Sequence, residues 1–351
     1  AWAICHLASP GRGGHRPAMA AADTAFACRE EAAALFDVPE PEQVVFTNNA
    51  THGLNIAIKA LVRPGGTVVI SGYEHNAVTR PLHAIPDVTV RVAAGQLFRP
   101  EETVEAFRKA LTPEVTAAVF THVSNVFGMI LPIQELARLC RERGVPFILD
   151  ASQSAGCLPV HLEELGAAFI AMPGHKGLYG PQGTGLLLCG QTPPPLLEGG
   201  TGSESIRQEM PDFLPDRLEA GTHNIAGIAG LLEGLRFVEK QGVQSIGSHE
   251  RALTVQMGES LAQLPGVEVF RSKDPSQQAG VLSFRVSGMD CEALGLESET
   301  RRWAAGTSPC VPGSTAPRWP TGQLGHWRPG PCGPASPPST SPRRSPASSE
   351  S

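Results

Sequence analysis

Six short apolar runs, separated by helix-forming stretches and each followed by a polar turn, restrict this chain to few folds. The runs are Gln43–Phe46, Thr67–Ile70, Val88–Val92, Ala117–Phe120, Pro146–Leu149 and Ala168–Met172. Helical patterns fall at Ala18–Phe36, where Ala22, Phe26, Ala33 and Phe36 share an apolar side, and at His52–Leu61, Asn76–Ile85, Pro100–Ala110 and Ile133–Arg143. Runs that are apolar on both faces and joined by crossover-length helices predict a mostly parallel sheet covered on both sides. Ligands of such sheets bind beyond the carboxyl ends of the strands.

The residues at those ends are polar and specific. In order they read TNNATHG (Thr47–Gly53), SGYEHN (Ser71–Asn76), THVSNVFG (Thr121–Gly128), DASQSAG (Asp150–Gly156) and PGHKG (Pro173–Gly177). Asn49, Ala50 and Thr51 precede a helix, so their amides and the Thr51 hydroxyl suit a phosphate at the positive helix end. Asp150 closes a hydrocarbon strand, where a carboxylate serves as a metal ligand or as the partner of a cationic ring nitrogen. Gln153 is one turn away, positioned to donate to an oxygen on the same ring. His75 offers a flat ring for stacking, and Asn125 an amide on the same rim. Lys176 lies between Gly174 and Gly177, with Gly180, Gly183 and Gly185 beyond, a setting that suits a lysine held within reach of a cofactor. Each residue has a plainer reading: a solvated lysine, a loop histidine, a turn-capping aspartate or a helix-capping threonine. Their joint occurrence at successive strand ends describes a pyridoxal-phosphate site.

The 351 residues are 41% apolar, enough for a large domain and a smaller one. A net charge of -6 gives no electrostatic reason to expect nucleic acid. With no apolar run of membrane-spanning length and no signal-peptide pattern, a cytoplasmic protein without a membrane partner is expected. The eight cysteines lack paired ligand spacing, so neither a metal site nor a disulfide framework is expected.

From Pro10 to Cys291 the chain resembles class V aminotransferases of pyridoxal-phosphate fold type I, in the cysteine desulfurase and selenocysteine lyase-like branch. The resemblance is carried by PGRGGHR, FTNNATHGLN, EHNAV, HVSNVFGMILP, LDASQSAG, GHKGLYGPQGTG, EGGTGSES and PDFLPDRLEAGTHN, in family order. It implies an α/β fold with a mostly parallel seven-stranded sheet sandwiched by helices, plus a smaller α+β carboxyl-terminal domain. It also implies that Lys176 holds pyridoxal 5'-phosphate as a Schiff base and shuttles protons. Asp150 would pair with the ring nitrogen. His75 would stack on the ring and assist acid/base steps. Ala50, Thr51 and His175 would hold phosphate, Gln153 would contact the ring hydroxyl, and Asn125 would orient the ring or the substrate carboxylate. Thr222 is similar to a threonine that reaches the neighbouring subunit's phosphate, which implies a homodimer. Pro173 stands where many desulfurases have Ser or Thr, removing one phosphate hydroxyl. The implied reaction converts L-cysteine to L-alanine with persulfide formation and hand-over to a sulfur acceptor protein. The alternatives are a transaminase or β-lyase on another amino acid, and a noncatalytic scaffold of the same fold.

The expected organisation is a partial amino-terminal segment (1–17), a large cofactor-binding domain (18–240), a partial small domain (241–295) and a tail (296–351). The large domain ends with a helix at Ile225–Glu239. The small domain is expected to open near Ser245 with a helix through Leu264 and to include a strand at Val281–Val286. Trp303–Ser351 carries 11 Pro and 9 Ser among 49 residues, a composition that orders poorly. The family has a cysteine-bearing loop here. Codons for Thr307–Gly322 can be chosen so that a shifted frame reads Ile-Pro-Val-Arg-Ala-Gly-Leu-His-Cys-Ala-Pro-Leu-Ala-His-Arg, similar to that loop. A second match lies in the same frame across Cys332–Pro346. The expectation is a frameshift between about Glu292 and Gly306, with Cys310 and Cys332 unsuited to the nucleophile's role, the amino terminus incomplete and turnover impaired.

Overall fold

The computed structural model describes residues 2–10, 14–204 and 206–291. In chain order the elements are α1 (Trp2–His6), α2 (Arg16–Phe36), β1 (Val44–Thr47), α3 (Ala50–Leu61), β2 (Thr67–Ser71), α4 (Asn76–His83), β3 (Thr89–Ala93), α5 (Pro100–Ala110) and β4 (Val115–Thr121). Then come α6 (Ile133–Arg143), β5 (Phe147–Asp150), α7 (Leu162–Leu165), β6 (Phe169–Pro173), β7 (Gly185–Cys189), α8 (Ile225–Gln241), α9 (Val243–Ala262), β8 (Val267–Phe270) and β9 (Ser283–Val286).

Seven strands form one sheet in the order β1-β7-β6-β5-β4-β2-β3. Only β7 runs against its neighbours, so the sheet is mostly parallel, with helices supplying the buried residues that cover it. The central strands β5, β6 and β7 are buried at every position, which is why they read as unbroken hydrocarbon. Phe120 stacks on Phe147 at 5.0 Å and meets Phe107 edge-on at 5.7 Å, tying α5 to β4 and β5. Ala1–Ser287 makes up one compact unit, which includes the β8–β9 pair. No described helix is long and apolar enough to cross a membrane.

Two elements depart from the sequence pattern. β7 lies inside the glycine-rich stretch after Lys176, where no strand was expected, and it inserts between β1 and β6. On α2, Phe26 is 46% exposed, and the buried face runs instead through Ala18, Ala21, Cys28, Arg29, Ala32, Ala33 and Phe36. Arg29 sets that face. Its guanidinium hydrogen-bonds the Val44 carbonyl, ion-pairs with Glu219 at 2.6 Å and lies over the Phe46 ring at 4.2 Å. Glu219 also accepts from the Phe46 amide at 2.7 Å and meets His223 at 3.0 Å. A helix, an edge strand and the loop bearing Thr222 are thus fixed by one buried carboxylate.

The chain crosses over between β2 and β4: β3 lies to one side of β2 and β4 to the other, the topological position where such sheets open a crevice. Glu74 fills that position. One carboxyl oxygen accepts from the Ser71 hydroxyl at the end of β2 and from the Thr121 amide at the end of β4, at 2.9 Å for the latter. The other oxygen is buried without a partner. Burial, with the Asp150 charge adding to it, outweighs these hydrogen bonds and pushes the Glu74 carboxyl up to about 8.

Two predictions follow from these carboxylates, with opposite signs. Burial alone would raise Glu219, but Arg29 and His223 outweigh it and hold the pKa below its ordinary 4.5. Its contribution is therefore complete above pH 4.5 and lost as pH falls through the lowered value. Glu219→Ala, which strands Arg29 in the interior, is expected to cost about 3 kcal/mol at neutral pH by urea unfolding. Glu74 has a raised pKa, so stability declines as pH rises from 4.5 towards 8. Glu74→Gln is expected to flatten that decline, seen as a smaller fall in Tm between pH 5 and pH 8 than in the unaltered chain.

Candidate active site

Asp150 ends β5 and is 2% exposed. One carboxylate oxygen accepts from the Ser152 amide at 2.9 Å, and its carbonyl accepts from the His122 amide at 3.0 Å. The chain then turns tightly, with the Ser154 and Ala155 amides both bonded to the Ala151 carbonyl, and carries the half-buried Gln153. Lys176 leaves β6 in a similar turn, closed by bonds from Tyr179 N to the Lys176 carbonyl and from Gly180 N to the Gly174 carbonyl. The two turns pack backbone against backbone. A Cβ on Gly156, whose φ is +89°, would lie 1.9 Å from the Gly177 carbonyl, and one on Gly177 would lie 2.3 Å from that of Ala155. Glycine at both positions is what lets the Asp150 and Lys176 turns close on each other.

Asp150, His75 and Lys176 share one electrostatic environment. Lys176 is solvent-accessible, yet the surrounding walls remove enough water to lower its ammonium pKa from 10.5, with Asp150 opposing the shift. His75 is also lowered, chiefly by partial burial; Lys176 and Arg80 act in the same direction and Asp150 against it. His75 is the N-cap of α4, and its Nδ1 accepts from the Ala77 amide at 3.0 Å. A neutral imidazole that accepts at Nδ1 carries its proton on Nε2.

The helix end expected to hold phosphate belongs to α3. Asn49 is its N-cap, accepting from the His52 amide at 2.9 Å, so Thr51 is not the cap and its hydroxyl is not spent there. Ala50 is buried at the first helical position and Thr51 is exposed beside it. Thr47 pairs with Gly185, and Gly185 with Pro173. That register sets the start of α3 two strands, roughly 10 Å, from the end of β6 where His175 and Lys176 emerge. A Cβ on Gly185 would meet the Asn49 backbone at 2.9 Å, so β7 and the helix start are packed directly together. His175 is exposed in the Lys176 turn, and Asn125 is half-buried in the loop between Val123 and Ile130, which bridge to each other. Thr222 is exposed and lines a small cavity with Thr47, Asn48 and His52.

The sequence reading assigned no role to Glu74, Arg29 or Glu219. An acid directly before His75 was the only signal for Glu74; for Glu219 the signal was its proximity to Thr222. Among the described residues no group of His, Cys, Asp and Glu could hold a metal ion. The donor set suits pyridoxal phosphate: a buried acid, an amine of lowered pKa, a neutral imidazole and a helix N-terminus along one edge of a sheet.

Comparison with known proteins points the same way. The family model for class-V aminotransferases matches residues 4–302. A probable cysteine desulfurase of Methanothermobacter thermautotrophicus is 32% identical over 299 residues, covering 81% of this chain and 72% of that protein. One from Mycobacterium leprae is 33% identical over 294 residues, covering 79% of this chain but 47% of its own length. Among solved structures, the apo cysteine desulfurase of Thermococcus onnurineus superposes with a TM-score of 0.77 at 28% identity, over 86% of this chain and 77% of that one. The chain belongs to the class-V aminotransferase family, in its cysteine desulfurase-like branch of pyridoxal-phosphate enzymes.

Proposed function

We propose that this chain holds pyridoxal 5'-phosphate between Lys176, Asp150 and the start of α3, and that its fold serves the conversion of L-cysteine to L-alanine. The observation that carries the proposal is the pairing of Asp150 and Lys176 on turns locked together through Gly156 and Gly177. When bound, the cofactor supplies an electrophilic carbon and an electron sink for bonds breaking at the substrate's α carbon. Asp150 would pair with the ring nitrogen and favour its protonated form. Lys176, more readily neutral than an ordinary lysine, takes the α proton and returns one to the product. His75 would offer its Nε2–H to the ring, while Ala50, Thr51 and His175 would hold the phosphate. Gln153 and Asn125 would orient the ring hydroxyl and a carboxylate. In the full reaction the Cβ–Sγ bond of cysteine breaks, sulfur passes to an acceptor thiolate as a persulfide, and Cβ takes a proton to give alanine.

Thr222 is assigned to the phosphate of a second copy in a homodimer. Exposed apolar residues on the segment leading to it, Ile206 at 98%, Leu197 and Phe213, support such a contact. The family match ends at residue 302, which supports reading the remaining tail as out of frame. Direct sequencing of the gene across codons 285–351 tests that reading.

A β-lyase or transaminase is the second reading, favoured by the four buried cysteines among the described residues, although Cys5 and Cys291 are exposed. Burial pushes the thiols of Cys28, Cys140 and Cys157 up to about 12 and raises Cys189 further, which disqualifies them as sulfur carriers. The expected carrier loop, with Cys310 and Cys332 in its place, lies outside the described residues.

Three outcomes are expected. With L-cysteine, the product is alanine and its formation is slow; pyruvate and ammonia instead would establish the lyase. Lys176→Ala abolishes turnover and the cofactor's visible absorbance, while the cofactor-free chain keeps its Tm. The rate of cofactor uptake rises with pH through a midpoint below 10.5, because only the neutral amine reacts and burial lowers its pKa.

A further inference from the structure

A second cavity, of about 300 Å³, is lined by none of the residues assigned to the cofactor. It lies where the loop after β4 and the turn before α6 meet α9 and the turn ahead of Gln278. Two side chains in its lining carry buried polar atoms without a hydrogen-bond partner: Nδ1 of His122, which is 4% exposed, and Nε of Arg251. A buried polar atom left unsatisfied is destabilising. Both belong to side chains of one lining, so a guest towards which those side chains turn would satisfy them.

The chemistry of the wall defines the ligand. Burial lowers His122 to about 3, so its imidazole is neutral at physiological pH. Among the described residues of the lining Arg251 is the one cation, and none is a carboxylate. The nearby Asp274 does not neutralise it by contact. That carboxylate is bonded to the Ser276 amide and hydroxyl at 2.9 and 2.8 Å; these hydrogen bonds lower its pKa most, and the Arg251 charge contributes less. Gln134 adds a carboxamide, and Gln277 accepts from the Ser272 hydroxyl at 3.3 Å, which leaves its NH2 as a donor. More than half of the wall is hydrocarbon, from Ile130, Leu131, Leu158 and three prolines.

We infer that this cavity binds a small organic carboxylate, with the carboxylate between Arg251 and His122 and a short hydrocarbon body against Ile130, Leu131 and Leu158. A carboxylate is acceptor-only, with two oxygens, and so satisfies a guanidinium N–H and an imidazole N–H together. The volume is at the lower end of ligand pockets, which suits a guest of a few carbons. The single cation and apolar walls disfavour a phosphate dianion, which requires more donors. This site is independent of the reading given to Lys176.

The test is a titration of the full chain with hexanoate, and with hexanamide as the uncharged isostere, followed by calorimetry and by the methyl resonances of Ile130, Leu131 and Leu158. Hexanoate is expected to bind saturably and to shift those methyls, with hexanamide weaker by roughly tenfold or more. Arg251→Gln is expected to weaken hexanoate by a similar factor at unchanged Tm, and Lys176→Ala to leave binding unaltered. Equal affinity for the two probes, full binding by the Arg251→Gln chain, loss of binding in Lys176→Ala, or no saturable binding would each overturn the assignment. The two probes on the unaltered chain decide the matter even where Arg251→Gln fails to fold.

Discussion

Asp150 sits at the carboxyl end of a strand made of hydrocarbon, and the groups around it are arranged with respect to its charge. Lys176 and His75 both have lowered pKa values that the Asp150 carboxylate opposes, and Glu74 behind it has a raised one that the same charge reinforces. A second carboxylate so near would repel the first. Burial resolves the conflict by keeping Glu74 protonated at neutral pH, so that it acts as a neutral strut between β2 and β4. A strut of this kind was available from polar residues of several types. An acid brings a pH-dependent weakness that an amide would not, and its position next to His75 links the fold's weakest carboxylate to the loop that carries a ring of the site.

How much of this was legible follows from which physical signals are local. The parallel strands and their connecting helices were visible because hydrophobic periodicity is read along the chain, residue by residue. The five polar motifs, far apart in sequence, share one destination because a parallel sheet gathers its strand ends. β7 was hidden because GLLLC follows a glycine-rich turn and gives only five apolar residues, a run that strand and buried loop share. The buried face of α2 was misplaced for a different reason. Arg29 lies 190 positions from its partner Glu219, and no periodicity reports an arginine that is drawn inward by a distant carboxylate. Thr51 was readable as a helix-start residue, but which neighbour caps the helix depended on the extended backbone of Asn49.

The sheet also explains why one site needs contributions from so much of the chain. Gly185 pairs with Thr47 on one side and Pro173 on the other, so the reversed strand β7 acts as a spacer that sets the helix end against the lysine turn. Without that spacer the parallel order would bring β1 directly beside β6, and the start of α3 would fall about one strand spacing, roughly 5 Å, closer to Lys176. The glycine pair at 156 and 177 fixes the other dimension, between the Asp150 and Lys176 turns. Distances along and across the site are thus set by backbone contacts, which tolerate no side chain, and only the charges are left to side chains.

The same strand end serves a second purpose. Thr121 and His122 are consecutive, and both are bonded to the Asp150 carbonyl, one through its hydroxyl and the other through its amide. Thr121 also gives its amide to Glu74, on the side of the cofactor site, whereas His122 lines the cavity with Arg251. The Asp150 carbonyl is therefore the common anchor of two neighbouring residues that serve different parts of the structure.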